Sequence, residues 1–226
     1  MPRSRVVAEY EKMQNDIKTS ARRQMAAHGT AGLSLRAIAR ELDVSAPALY
    51  RYFPNLDALI TALILDGFNA LADALEAAER TLPPTEPRAQ LRAALLAYRA
   101  WALSHPIDFQ LIYGNPIPGY VAPAEVTVPA ATRQLEILGR ITDRAFAAGQ
   151  IVLRRELTEI PPSVRAQLAR IAEPYGTSVE VLHTCMLGWT RIHGAIQLEL
   201  FGHTPPVVGD PAAFYEQLVD ALIETG

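Results

Sequence analysis

LSLRAIARELDVSAPALYRYF, residues 33–53, is the stretch from which the fold of this chain can be read. Leu35, Ile38, Ala39 and Leu42 recur at three- and four-residue steps, which puts them on one face of a helix. Ser34 stands where it can cap that helix. Asp43 follows, and Asp is one of the few side chains that tolerates the left-handed backbone a tight turn needs. Val44 points back to the core. Ser45 can cap a second helix, and Pro47 falls in its first turn, where a missing N–H costs little. Leu49 and Phe53 close the inner face, leaving Ala46, Ala48, Tyr50 and Arg51 outward. Ala39 supplies the small side chain that steeply crossing helices need. The pattern is a helix-turn-helix, whose second helix is free to enter a DNA major groove. A plain αα-hairpin explains the apolar spacing but not an outward Tyr50 and Arg51 beside such small neighbours.

Charge supports that reading once the chain is divided. The 226 residues carry a net charge of −3, yet residues 1–60 hold nine Lys/Arg against six Asp/Glu, and the rest hold twelve against eighteen. Basic charge gathers around the helix-turn-helix, as phosphate binding requires. Half of the residues are apolar, enough for a packed core and too many for a disordered chain. Cys185 is the only cysteine, which rules out an internal disulfide and argues against a thiolate metal site. The opening MPRSRVVAEYEKMQND lacks the apolar stretch of a signal peptide. The apolar run ALITALIL, closed by Asp57 and Asp66, is too short to span a bilayer. A cytoplasmic protein with no membrane partner is expected.

Outward from residues 33–53 the chain reads as helical. Residues 1–8 look like a frayed basic start. A helix over 9–28 places Tyr10, Met13, Ile17, Ala21 and Met25 on one side, and Gly29 stops it. Arg22 and Arg23 read as solvated, with phosphate contact as the alternative. Asn55 can cap a helix over 56–79, a rod of roughly 35 Å. TLPPTEP, residues 81–87, breaks it. The expected domains are a DNA-binding unit at 1–55, the connecting helix at 56–79, and a ligand-binding and dimerisation body at 80–226. Within the body, helices are expected at 88–104, 107–113, 130–148 and 163–172, with Ser163 capping the last of these. GNPIPGYVAPAEVTVP, residues 114–129, reads as an irregular loop, and it lacks the Gly-Lys-Ser/Thr of a phosphate loop. Residues 151–162 read as a connector. In the helix expected at 177–201, Leu182, Met186, Trp189, His193, Ile196 and Leu200 form one apolar stripe, and Leu187, Gly194, Leu198 and Phe201 another. The last helix, from Pro211, puts Phe214, Leu218, Ala221 and Leu222 on one side and Tyr215 and Val219 on another. Surplus apolar surface on the two terminal helices points to a two-fold helical interface. Its candidates are Leu187, Gly194, Leu198, Phe201, Tyr215 and Val219.

Residues 33–53, with the PNLDALITALI that follows, resemble the amino-terminal domain of the TetR/AcrR family of transcriptional regulators. Trp189-x-x-x-His193-Gly194 and HPIDFQLIYGNPIPGY from His105 resemble the WHG-type regulatory domain found behind some TetR heads. The resemblance implies an all-α, dimeric, ligand-responsive repressor that binds double-stranded operator DNA. It assigns Ala46, Pro47, Ala48 and Tyr50 to base-facing positions and Arg36 to one that reaches a base edge in some members. Ser34, Ser45, Arg51 and Tyr52 become candidates for phosphate contacts, which set register and not sequence. Two residues depart from the family's pattern. Leu56 stands where a Lys or Arg usually meets a phosphate, and Asp43 replaces the usual turn glycine.

Trp101, Phe109, Tyr113, Tyr120, Trp189 and His193 are candidates for lining an aromatic cavity in the body, each with core filling as the alternative. No basic cluster accompanies them, which favours an apolar small-molecule effector over an anionic one. His183, His193 and His203 make no metal set, no Ser/His/Asp or paired-carboxylate arrangement stands out, and no cofactor is implied. The expectation is therefore a non-enzymatic homodimeric repressor. A small-molecule-binding or enzymatic helical protein with a vestigial head, and a ligand-independent architectural DNA-binding protein, are the alternatives.

Overall fold

The computed structural model describes residues 2–115, 117–151 and 159–223, which form helices and connecting turns with no strand among them. In chain order the helices are α1 (Pro2–His28), α2 (Leu35–Glu41), α3 (Ala46–Leu49), α4 (Leu56–Arg80), α5 (Pro87–Ser104), α6 (Pro106–Tyr113), α7 (Ala124–Ala147), α8 (Pro162–Tyr175), α9 (Val179–Leu200), α10 (Pro205–Val208) and α11 (Pro211–Ile223). They gather into two compact units, Met1–Phe68 with His105–Ala130, and Asn69–Ser104 with Ala131–Gly226. This division departs from the expected boundaries. It falls inside α4, and α6 with the segment after it joins the head.

In the first unit α1 crosses α2, α2 packs on α3, and α6 lies against α1. Ile17, Ala21 and Met25 of α1 are buried, as are Leu35, Ile38, Ala39, Leu49 and Phe53 of the helix-turn-helix. The helix begins at Pro2, so the expected frayed start is helical. Leu59, Ile60, Leu63 and Ile64 bury the first half of α4. Asn55 Oδ1 caps that helix, accepting from the Ala58 N–H at 2.8 Å. Gly67 has a tertiary reason to lack a side chain: a Cβ there would lie 3.1 Å from Ile112 Cγ2, so α6 sits close on α4. Arg22 and Arg23 are not simply solvated. Arg22 pairs with Asp108 at 2.8 Å and Asp66 at 3.5 Å, Lys18 pairs with Asp66 at 2.9 Å, and Arg23 pairs with Glu41.

In the second unit α5 packs on α9 and α11, and α9 also packs on α8 and α11. Leu91, Leu95, Tyr98 and Ala102 of α5, Val181, Ile192 and Ile196 of α9, and Tyr215, Val219 and Ile223 of α11 are buried. Ser178 caps α9, accepting from the Val181 N–H at 3.1 Å. α7 begins at Ala124, six residues earlier than expected, and carries Pro129 inside it. The missing N–H of that proline removes one ladder bond near the start of the helix, and the helix continues through it. Irregular backbone is thus confined to the described part of 114–123. The helix expected from Ser163 starts at Pro162 with no side-chain cap and runs past Pro174 to Tyr175. Most of the connector expected at 151–162 lies outside the described residues. By length and composition α4 would also suit a membrane span, but half of its most apolar window is buried, as in a core helix.

Candidate functional sites: a helix-turn-helix surface and a cavity in the body

The helix-turn-helix is built by local hydrogen bonds. Ser34 is extended, and its Oγ accepts from the Ala37 N–H at 3.4 Å. Asp43 sits at φ 54°, the left-handed conformation expected of it, and the Val44 N–H closes the turn on the Ala39 carbonyl at 3.0 Å. Ser45 Oγ accepts from the Ala48 N–H at 3.3 Å. Each capping serine accepts through oxygen and keeps its own O–H to donate, so capping and phosphate contact are compatible.

Three ties from α1 hold this pair of helices. The Ser34 N–H donates to Gln24 Oε1 at 3.2 Å. Buried Ser20 donates to Glu41, and with Arg23 it holds that carboxyl below the usual carboxylate range. Tyr10 stacks on Tyr52 with centroids 4.7 Å apart, and its hydroxyl donates to the Arg51 carbonyl at 3.3 Å. The hydrogen bonds among these ties span 10 to 41 residues and are absent from any local pattern. Arg36, Pro47, Tyr50 and Arg51 are exposed, Tyr50 at 43%, and Ala46 and Ala48 are half-buried between them. The candidate DNA contacts therefore lie on one compact element pair, except that Tyr52 turns toward Tyr10. Leu56 is half-buried at the start of α4.

The second unit encloses a cavity of about 1010 Å³ between α5, α7, α8, α9 and the end of α11. Its wall is chiefly Leu, Ile, Val and Met, with Tyr98 and Trp189 as the aromatic members. The six aromatic candidates do not converge there. Trp189 lines the cavity. His193 lies beside it, ring centroids 4.9 Å apart, with Nδ1 3.1 Å from the Tyr98 hydroxyl. Burial lowers the pKa of His193, which favours the neutral ring. Trp101 is buried in the second unit. Phe109, Tyr113 and Tyr120 belong to the first unit: Tyr113 packs edge-on to Phe68 and beside Phe109, and the Tyr120 hydroxyl meets Thr61 Oγ1 at 2.8 Å. Those three are corrected to packing positions of the first unit: Phe109 and Tyr113 lie on α6, and Tyr120, in the segment after it, is tied to Thr61 of α4.

Sequence reasoning missed the charged wall. Arg140 and Arg144, four apart on α7, reach the cavity and also clasp Glu79 at the end of α4. Arg140 bonds both Glu79 oxygens, at 2.7 and 2.9 Å, and Arg144 bonds Glu79 at 2.6 Å and Gln90 Oε1 at 3.0 Å. Burial opposes the Glu79 charge, but the two guanidinium groups outweigh it and hold its pKa below the ordinary value. The i, i+4 arginine spacing was the available signal, though nothing in the sequence names its partner.

Of the interface candidates, Leu198 and Phe201 are 51% and 50% exposed. Gly194 has open space where a Cβ would stand, and Leu187 lies half-buried in the cavity wall. Tyr215 and Val219 are corrected to the core of the protomer. Both are buried, Tyr215 donates to the Leu95 carbonyl at 2.9 Å, and Arg99 lies over its ring. α11 packs inward through 215, 219 and 223, the opposite of the expected phase.

Comparison with known proteins bears on both sites. Residues 17–63 match the family described as bacterial regulatory proteins, tetR family, and residues 91–222 match the tetracyclin repressor-like C-terminal domain. The HTH-type transcriptional regulator Rv1816 of Mycobacterium tuberculosis is 34% identical over 218 residues, 94% of this chain and 92% of that protein. Mb1846 of Mycobacterium bovis, also an HTH-type transcriptional regulator, matches to the same extent. The crystal structure of regulatory protein SCO4313 is 32% identical, covers 96% of this chain and 98% of its own, and superposes with a TM-score of 0.79.

Proposed function

The chain belongs to the TetR family of DNA-binding transcriptional regulators, and on that premise we propose that it is a homodimeric repressor released from its operator by an apolar small molecule held in the body. The observation that carries the reading is the pairing of an exposed helix-turn-helix face with a large apolar cavity in one chain. A regulator that only wrapped DNA would have no use for a cavity of about 1010 Å³. The vestigial-head alternative is not favoured: the caps, the left-handed turn and the exposed Arg36, Tyr50 and Arg51 are all in place.

We assign Arg36 to a base edge, Ala46, Pro47, Ala48 and Tyr50 to the major-groove face, Ser34, Ser45 and Arg51 to phosphates, and Tyr52 to the stack on Tyr10. A bidentate Arg on guanine is the strongest reader in that set, and the apolar residues suit thymine methyl groups. The cavity replaces the six-aromatic cluster as the effector site, with Trp189 and Tyr98 in its wall. Trp189-x-x-x-His193-Gly194 is read as the signature of a WHG-type body, in which His193 secures Tyr98. Leu198, Phe201 and Gly194 present the open side of α9 to a partner protomer, and the protein acts in the cytoplasm. The test is a gel shift with DNA upstream of its own gene, repeated with apolar metabolites. Specific binding that one metabolite abolishes is expected. No shift on that DNA or on a random-site library overturns the regulator reading, and a shift that no cavity ligand alters overturns the switch.

A further inference from the structure

The chemistry of the cavity wall narrows what can occupy it, and the argument rests on the reading of the cavity as the effector site. Its charges balance among the described residues: the guanidinium groups of Arg140, Arg144 and Arg191 stand with the carboxylates of Glu136, Asp143 and the clasped Glu79. Arg140 and Arg144 are held by Glu79 and Gln90, Asp143 accepts from the Thr177 hydroxyl at 2.9 Å, and Glu136 and Arg191 are exposed. Burial pushes the Cys185 thiol up to about 11, against an opposing hydrogen bond from Thr142, so it stays protonated. The Tyr98 hydroxyl is taken by His193. An ionised ligand drawn inside would lose its water and meet no net opposite charge among the described residues.

Arg144 Nε and Thr184 Oγ1 are wall atoms that are buried with no hydrogen-bond partner among the described residues. The Arg144 guanidinium is already bonded to Glu79 and Gln90 through Nη2, whereas the Thr184 hydroxyl is a neutral group left open. It sits on α9 between Val181 and Gly188, one helical turn from each, and both line the same cavity. Buried hydroxyls are nearly always bonded, so an open one in the wall of an apolar cavity is a ready partner for a ligand atom. We propose that the cavity takes an uncharged, mainly apolar molecule of drug-like size with one hydroxyl or carbonyl, and that this group hydrogen-bonds to Thr184 Oγ1. The volume is at the upper end of pockets that enclose such ligands. The hydroxyl can donate to a carbonyl or accept from an alcohol, so either group satisfies it.

Two matched probe sets test this on the full-length protein without DNA. One is pyrenemethanol, methylpyrene, pyrenecarboxylate and pyrenemethylammonium. The other is dodecanol, dodecane, dodecanoate and dodecylammonium. Pyrene binding is read by energy transfer from Trp189, and the dodecyl set by displacement of pyrenemethanol. In each set the alcohol should bind about 2- to 12-fold tighter than the hydrocarbon, the range a neutral hydrogen bond supplies. Both ions should bind weakest. Thr184→Val keeps the shape and removes the hydroxyl, so it should erase the alcohol's advantage and leave the hydrocarbon unchanged. Thr184→Ser should restore the preference, which a merely structural threonine would not do. An alcohol preference that survives Thr184→Val, an ion that binds best, or no binding by either set overturns the proposal. Probes that bind in the expected order but leave operator affinity unchanged strike the release mechanism alone.

Discussion

Tyr50 is the residue on which DNA recognition can be tested most cleanly, because it is 43% exposed at the end of α3 and supports no core. Tyr50→Ala should abolish specific operator binding while shifting stability by no more than about 0.5 kcal/mol, the usual range for surface substitutions. Gel shift and urea unfolding on the same preparation check both halves, and a variant that unfolds would make Tyr50 structural. His193 gives a second test. Its folded-state pKa lies below the ordinary histidine value of about 6.5, since burial disfavours the imidazolium. The unfolded chain therefore binds the proton first as pH falls. This contribution to stability is complete above pH 6.5 and is lost as pH drops below it toward the folded pKa. Urea midpoints between pH 7.5 and 5.5 should fall more steeply for the native protein than for His193→Gln. Equal slopes would mean that His193 is protonated in the fold as readily as in water. Residues whose role is local were legible beforehand. Ser34, Asp43, Ser45 and Asn55 act within four residues of themselves, so the sequence window contains their whole reason. Arg22, Ser20 and Thr184 were not legible, because their partners, or the space beside them, are set by packing between distant helices.

At the scale of elements, the same distinction explains which helices were read well. α2, α3 and the start of α4 carry their own caps and apolar faces. α11 carries apolar residues on two sides, and periodicity alone gave no way to choose between them. The structure chooses 215, 219 and 223 because Tyr215 can satisfy its hydroxyl on the Leu95 carbonyl when buried, whereas Phe214 needs no partner outside. The clasp of α7 on α4 is the element-level feature with most leverage. Glu79→Gln leaves Arg140 and Arg144 sharing a neutral amide, and should cost about 2 kcal/mol, the range for a hydrogen bond to a charged group in a partly buried setting. Arg140→Gln in that background should cost much less than it does alone, and a double-mutant cycle on denaturant midpoints measures the difference. Additive effects would mean the clasp contributes nothing. At the other end of α4, Leu56→Lys should strengthen binding to all DNA alike. With one new phosphate contact from each of two protomers, the salt slope steepens by roughly 1.8. An unchanged slope would place residue 56 away from the backbone.

On the homodimeric reading proposed above the molecule presents two heads to one operator, and the body carries apolar side chains that a single chain leaves exposed. Leu198 on α9 and Phe201, which caps that helix, are half exposed, Val207 on α10 is 83% exposed and Phe214 on α11 is 42% exposed, while the inward faces of α9 and α11 pack on α5. Apolar side chains of this size cluster on a free surface chiefly where something covers them. Gly194 lies on the same helix one turn before Leu198, with open space at its Cβ position, so a partner helix can approach closely there. A two-fold axis would bring each of these residues near its own copy. Leu198→Glu then places two carboxylates against each other in an apolar contact, and sedimentation should show monomers whose circular dichroism is unchanged. Operator affinity should fall with the dimer. A second head already tethered to the first binds at millimolar effective concentration, so separating them should weaken binding about 10²- to 10⁴-fold. Leu198→Ala removes the apolar contact without adding charge and should give a weaker dimer whose operator affinity recovers as protein concentration rises. A Leu198→Glu protein that stays dimeric would move the interface off this face of α9. A monomer that held the operator as tightly as the native protein would sink the two-headed reading itself.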